Sequence, residues 1–321
     1  MLLDILNKYK VIQVKVVNSV GSNIFLNNYP IYVINLKKDV ERRNYIKYLF
    51  KRHNINYNLI IVDNFKYENT QELLKYRIKE NKLGCILSHL WCINNAINNN
   101  YERFIIFEDD IVFHKHFDEL FKKCISKLEK IPDLLMLGSI DFKIKENMCY
   151  LNAEENIYYP EKNILGAHAN MYSINFAKEF LNYKLNVPKI LEFDFDYCRF
   201  KNKYKIGICL PNLVVCELST TNIEHHFSPT NLNSFARYKR SFPSGFTYND
   251  YEYMIIVFIQ FIKEEMESGI TFKDMIEATE SFYSKKLTKQ TADVKTWLLN
   301  SIYKLNDILV IIENIKSDIY I

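Results

Sequence analysis

The chain has 321 residues, 48% of them hydrophobic and 25% charged, which is enough for one large α/β core with a smaller appendage. Its 42 basic and 38 acidic residues leave a net charge of only +4, so no global field draws nucleic acid or an anionic membrane, and any anion site has to be local. No window approaches the roughly 20 apolar residues of a membrane span, and the apolar start Met1 to Leu6, broken by Asp4, is too short for a signal sequence. The seven cysteines are odd in number and form no CxxC pair, so they read as reduced core thiols, and a cytoplasmic protein is the expectation.

In chain order, Ile31 to Leu36 follows Pro30 as a short β-branched run of the kind buried in a parallel sheet, and Val40 to Arg52 carries apolar residues at helical spacing. The alternation continues with a strand at Tyr57 to Val62, helices at Thr70 to Lys79 and Leu83 to Ile97, and a strand at Phe104 to Phe107. A helix at Phe117 to Leu128 and a strand at Leu134 to Leu137 extend it. Such alternation predicts a doubly wound α/β sheet with ligands at the carboxyl ends of its strands. Further elements are expected at His168 to Ser173 (strand), Asn175 to Leu181 (helix), and Lys205 to Cys209 and Leu213 to Cys216 (strands). Residues 246 to 321 read as a helical subdomain appended to a main domain of residues 1 to 245, with helices at Tyr251 to Glu265, Phe272 to Tyr283 and Asp293 to Ile315. The last of these either caps the main core or pairs with a second subunit as a homodimer.

The chemistry concentrates where Arg103-Phe-Ile-Ile-Phe runs into Glu108-Asp109-Asp110. In extended backbone Glu108 and Asp110 point to one side and Asp109 to the other, so two carboxylates face one cleft and repel each other unless a cation intervenes. Mg²⁺ or Mn²⁺ bridging a diphosphate satisfies that demand and stabilises the charge growing on a leaving nucleotide. The competing explanation for an acidic triplet alone is a solvated strand end with helix-capping aspartates.

Three stretches decide between these: Ile31-Tyr-Val-Ile-Asn-Leu with Arg42 and Arg43 after it, Leu83-Gly-Cys-Ile-Leu-Ser-His-Leu, and Phe107-Glu-Asp-Asp-Ile-Val. In this order and spacing they resemble glycosyltransferase family 25, which includes lipopolysaccharide sugar transferases and procollagen galactosyltransferases. The resemblance spans about residues 31 to 225; Ala169-Asn-Met-Tyr-Ser and Phe193-Asp-Phe-Asp agree more loosely. It implies a GT-A type, Rossmann-like sheet, a UDP-hexose donor, dependence on Mn²⁺ or Mg²⁺, and inversion at the anomeric carbon.

Residue by residue, Asn35 at the end of the first strand and Arg42 or Arg43 in the following helix are placed to meet the nucleotide. Gly84 permits close backbone approach, and Ser88 and His89 are expected to begin a helix whose amides face phosphate or ribose, though His89 also fits a satisfied core position. Asp110 is the first expected metal ligand, with Glu108 and Asp109 sharing the remaining metal and ribose contacts. A further ligand is sought at His225 or His226, after the last expected strand. Inversion needs a base for the acceptor hydroxyl, and the candidates are Asp194, Asp196 and Asp141, with Asp194 preferred. The basic loop Phe235 to Ser241 is expected to fold over the donor phosphates.

The acceptor is a glycan or the hydroxylysine of a collagen-like protein. The chain ends Asp318-Ile-Tyr-Ile without a retention tetrapeptide, which points to a bacterial or viral enzyme. The alternative from another class is a module that has lost turnover and binds a glycan or a partner.

Overall fold

The structure is a computed structural model, and it describes residues 2–18, 25–63, 80–139, 149–152, 155–161, 165–187, 193–216 and 250–251, with a few isolated positions between 277 and 300. The helices delimited among the described residues are α1 (Leu2–Lys8), α2 (Val40–Arg52), α3 (Glu80–Asn98), α4 (Phe117–Lys127) and α5 (Ile174–Asn186). The strands are β1 (Val11–Val16), β2 (Ile31–Leu36), β3 (Tyr57–Val62), β4 (Arg103–Phe107), β5 (Ile111–Phe113), β6 (Leu134–Met136), β7 (Cys149–Asn152), β8 (Ile157–Pro160), β9 (Ala169–Ser173), β10 (Ile206–Cys209) and β11 (Val214–Cys216).

Nine strands form one sheet in the order β1-β3-β2-β4-β9-β6-β10-β8-β7, and β5 pairs with β11 in a small antiparallel ribbon. Strands β3, β2 and β4 run parallel, as do β6 and β10. Between these two groups β9 is inserted antiparallel to both β4 and β6, which sets β2, β3, β4, β6 and β10 in one common direction. The expected α/β sheet is therefore present, but as a mixed sheet: β1 and β8 also run against the common direction.

Burial explains the composition. Val33, Phe104 to Phe107, Leu134 and Leu135 are sealed on both faces of the sheet, as expected for central strands covered by helices. The unusual number of aromatics is absorbed there: Phe104 stacks on Tyr172 at 5.4 Å, Phe113 on Phe117 at 4.0 Å and Phe176 on Phe180 at 5.5 Å between centroids. Helix α5 begins at the cap Ser173, whose hydroxyl accepts from the Phe176 amide, and it packs on α3.

Three corrections bear on the site. Ser88 and His89 do not start a helix; α3 is already helical at Glu80, so both lie more than two turns inside it and its amino-terminal amides are elsewhere. The chain turns at Asp109 and Asp110 instead of continuing extended, which changes where their side chains face. Tyr251, expected to open a helix, instead forms an antiparallel bridge with His114, and its hydroxyl donates to the Asn212 carbonyl.

Every described position between 277 and 300 is helical. The expected helix at Thr70 to Lys79 and the rest of the carboxyl-terminal helices lie outside the described residues, as do Asp141, His225, His226 and the loop Phe235 to Ser241. Among the described residues, no helix is long and apolar enough to cross a membrane.

Candidate active site

Adjacent parallel strands β2 and β4 end side by side, and their carboxyl ends carry Asn35 and the run from Glu108 to Asp110. The run divides into two environments. Asp109 turns inward, where Oδ2 accepts from Asn35 Nδ2 at 2.7 Å and Oδ1 from Arg42 NH1 at 3.0 Å. The same Arg42 nitrogen stands 3.6 Å from Asp110 Oδ2. Burial disfavours the Arg42 cation, but Asp109 and Asp110 outweigh it and raise its pKa, so the guanidinium stays charged. Asp109 itself is raised, because its burial outweighs even Arg42.

Arg42 is thus a buried counter-charge for the acidic run. Arg43 is only partly buried; it donates to Asn35 Oδ1 at 2.8 Å and to the Lys37 carbonyl at 3.3 Å, which locks the Asn35 amide towards Asp109.

Glu108 faces the other way, towards α3. Its Oε1 accepts from His89 Nε2 at 2.8 Å and lies 3.8 Å from Cys85 Sγ. His89 Nδ1 is buried and meets no partner among the described residues, so hydrogen-bond accounting puts the ring proton on Nε2, donated to Glu108. Burial alone would raise the Glu108 pKa, but chiefly the His89 hydrogen bond reverses this and holds it below the ordinary value.

Gly84 and Ser88 have a different role from the one expected. Ser88 Oγ donates to the Gly84 carbonyl at 2.8 Å and meets Tyr9 Oη at 2.8 Å, which ties α3 to the segment after α1.

The third carboxylate comes from a distant stretch. The 3₁₀ helix Phe193–Phe200 lays the Phe193 ring on His89, 4.4 Å between centroids, which brings the neighbouring Asp194 to the same place. Asp194 Oδ2 accepts from the Gly166 amide at 2.6 Å, and Gly166 has φ +150°, a backbone conformation that favours glycine.

Convergence is registered at Cys85: burial pushes its thiol pKa well up, and Glu108, Asp194 and Asp110 each push it further. Glu108, Asp110 and Asp194 therefore all lie within electrostatic reach of Cys85, and the Glu108 amide donates to the His168 carbonyl at 2.9 Å. Burial holds the His168 pKa down, partly offset by Glu108. Asp196 is engaged elsewhere. It is fully buried, and Oδ2 accepts from Lys184 Nζ at 2.9 Å and Oδ1 from Tyr183 Oη at 3.2 Å, which hold its 3₁₀ helix to α5, while Arg199 Nε of the same 3₁₀ helix also donates to Oδ1 at 2.6 Å.

Sequence reasoning missed Cys85, Gly166 and His168. Cys85 had a signal, its i,i+4 spacing to His89 on an expected helix; the other two reach the site through β9, whose place between β4 and β6 no local pattern reveals.

Fold and site together define an α/β protein with an acidic cluster at the carboxyl ends of parallel strands. Residues 28–195, more than half the chain, match glycosyltransferase family 25 (LPS biosynthesis protein), and the chain belongs to that family. A putative glycosyltransferase from Haemophilus influenzae (strain ATCC 51907 / DSM 11121 / KW20 / Rd) is 28% identical over 203 residues, covering 57% of this chain and 71% of that protein. Two solved structures share 12% identity with it. One is A197 from STIV, at TM-score 0.28 over 56% of this chain and 81% of that one. The other is a glycosyltransferase involved in the glycosylation of the major capsid of PBCV-1, at TM-score 0.27 over 50% and 68%. Neither score bears on the argument.

Proposed function

We propose that this family 25 glycosyltransferase moves a hexose, with inversion, from a UDP-sugar to an acceptor hydroxyl, and that a divalent cation, Mn²⁺ or Mg²⁺, assists. The observation that carries this reading is that Glu108, Asp110 and Asp194 lie within electrostatic reach of one side chain, Cys85, beside the carboxyl ends of β2 and β4.

The donor set fits a hard cation at Asp110. Asp109 has both oxygens engaged by Asn35 and Arg42, and Glu108 is turned to His89, so Asp110 is the carboxylate of the run that faces the cleft as an oxygen ligand. Arg42 and Arg43 supply positive charge against the carboxylates of Asp39, Glu108, Asp109, Asp110 and Asp194, and a divalent ion reduces the negative charge that is left over. When bound there with a diphosphate, such an ion stabilises the negative charge that leaves with the nucleotide. Further protein ligands belong to His225 or His226.

Asp194 is assigned as the base. In a single displacement it takes the proton of the acceptor hydroxyl as that oxygen bonds to the anomeric carbon, while the bond from that carbon to the nucleotide oxygen breaks and the diphosphate departs. The Gly166 amide holds Oδ2 and so fixes the carboxylate. Asp196, enclosed by Lys184 and Arg199, is a positioning residue. The acceptor is a glycan or a hydroxylysine side chain.

A donor screen with mass-spectrometric detection against glycans and hydroxylysine peptides tests the proposal. A product heavier than its acceptor by one hexose supports it; donor binding without any product favours the binding-module alternative instead.

A further inference from the structure

Cys85 Sγ, His89 Nε2 and Glu108 Oε1 lie within 4.8 Å of one another, three chemically different donors from two elements. Cys85 and His89 are i and i+4 on α3, so both project from one face of the helix, and Glu108 meets them from the end of β4. Around a four-coordinate ion with bonds of about 2.0–2.3 Å, ligand atoms stand roughly 3.3–3.8 Å apart. The 3.8 Å between Cys85 and Glu108 already has that spacing, and the 2.8 Å between His89 and Glu108 has to open by roughly 0.5 Å. Entry is available: among the described cysteines Cys85 is the one of intermediate exposure, the others being buried, and the Glu108 side chain is 26% exposed.

We propose that Cys85, His89 and Glu108 form a binding site for one borderline transition-metal ion, Zn²⁺ foremost, distinct from the hard cation assigned to Asp110. A sulfur, a nitrogen and an oxygen together select a softer ion than Mg²⁺, and three protein ligands leave a fourth position open. On binding, the Cys85 thiol loses its proton to solvent and the His89 proton moves from Nε2 to Nδ1, so one proton is released per ion. The Nδ1 proton meets no acceptor among the described residues, a cost small beside three metal–ligand bonds.

The test uses the full chain, stripped with a chelator and titrated with Co²⁺ and then Zn²⁺ in a solution containing a pH indicator. The expected result is one Co²⁺ per chain with tetrahedral visible absorption and a thiolate charge-transfer band, displaced by equimolar Zn²⁺ with release of about one proton. Cys85→Ser removes the charge-transfer band, and Cys85→Ser and His89→Gln each weaken Zn²⁺ by more than about 100-fold. Cys92→Ser, on the same helix, keeps the band. Should Cys85→Ser not fold, peptide mass spectrometry of the wild type reads the same question: Zn²⁺ protects Cys85 from iodoacetamide.

Absence of the band, its persistence in Cys85→Ser, or unprotected alkylation overturns the proposal. Asp110→Asn keeps the cobalt spectrum while losing donor turnover, so failure here is distinguishable from failure of the transferase reading.

Discussion

Asp109 and Asp110 are neighbours in sequence with different work, because Asp109 is held between Asn35 and Arg42 while Asp110 borders the cleft. Removing Arg42 strands a buried carboxylate, so Arg42→Ala is expected to cost about 3–5 kcal/mol of stability, measured by urea unfolding. Arg43→Ala, at a partly exposed site, is expected to stay within about 1 kcal/mol of wild type in the same experiment. The two aspartates of the 3₁₀ helix separate likewise. Asp194→Asn is expected to lower kcat by about 10²–10⁴-fold while donor affinity by calorimetry holds. Asp196→Ala, which strands the buried Lys184, is expected to lose about 3–5 kcal/mol of stability. A stable Asp196→Ala with lost kcat would reverse the two roles. The sequence marked this acidic run, but the partner each carboxylate meets is set by the fold. The extended-strand rule put Glu108 and Asp110 on one side, whereas the turn at Asp109 and Asp110 aims Asp110 at Arg42 and leaves Glu108 with His89.

Among the elements, β2, α2 and β3 were legible to the residue, since each is a continuous β-branched run or an amphipathic stretch with clear ends. The N-terminal β1 was not read from the sequence, and its mostly exposed residues carry no buried alternation to reveal it. Strands β7 and β8 have no such pattern; β8 is held by pairing with β10, and β7 by pairing with β8. The join between β6 and the ribbon is sterically closed. A Cβ on Gly138 would stand 1.8 Å from the Val214 carbonyl oxygen, so Gly138→Ala forces backbone to move and is expected to cost about 3 kcal/mol or more by thermal unfolding.

At the His114–Tyr251 bridge the test is pH. Burial holds the His114 pKa down at about 4 against an ordinary 6.5. The unfolded chain therefore binds a proton in that window that the folded protein does not, and stability falls as pH drops from about 6.5 towards about 4. His114→Gln is expected to flatten that slope in urea unfolding followed across the window.

For the whole molecule, alternation of strands and helices announced an α/β sheet but could not announce that β9 enters between β4 and β6 from a later part of the chain. That long-range insertion assembles the site, because the loop leading into β9 carries Gly166, which holds Asp194, and His168, which backs Glu108. Motif spacing identified the family, whereas the contacts between its motifs needed the fold. The measurement that bears most directly on the proposed transferase is hydrolysis of a panel of UDP-hexoses by the purified chain, with Mn²⁺ and after chelation. The prediction is cation-dependent hydrolysis of at least one donor, abolished in Asp110→Ala. If no UDP-hexose is bound or hydrolysed and Asp110→Ala behaves as wild type, the account is contradicted.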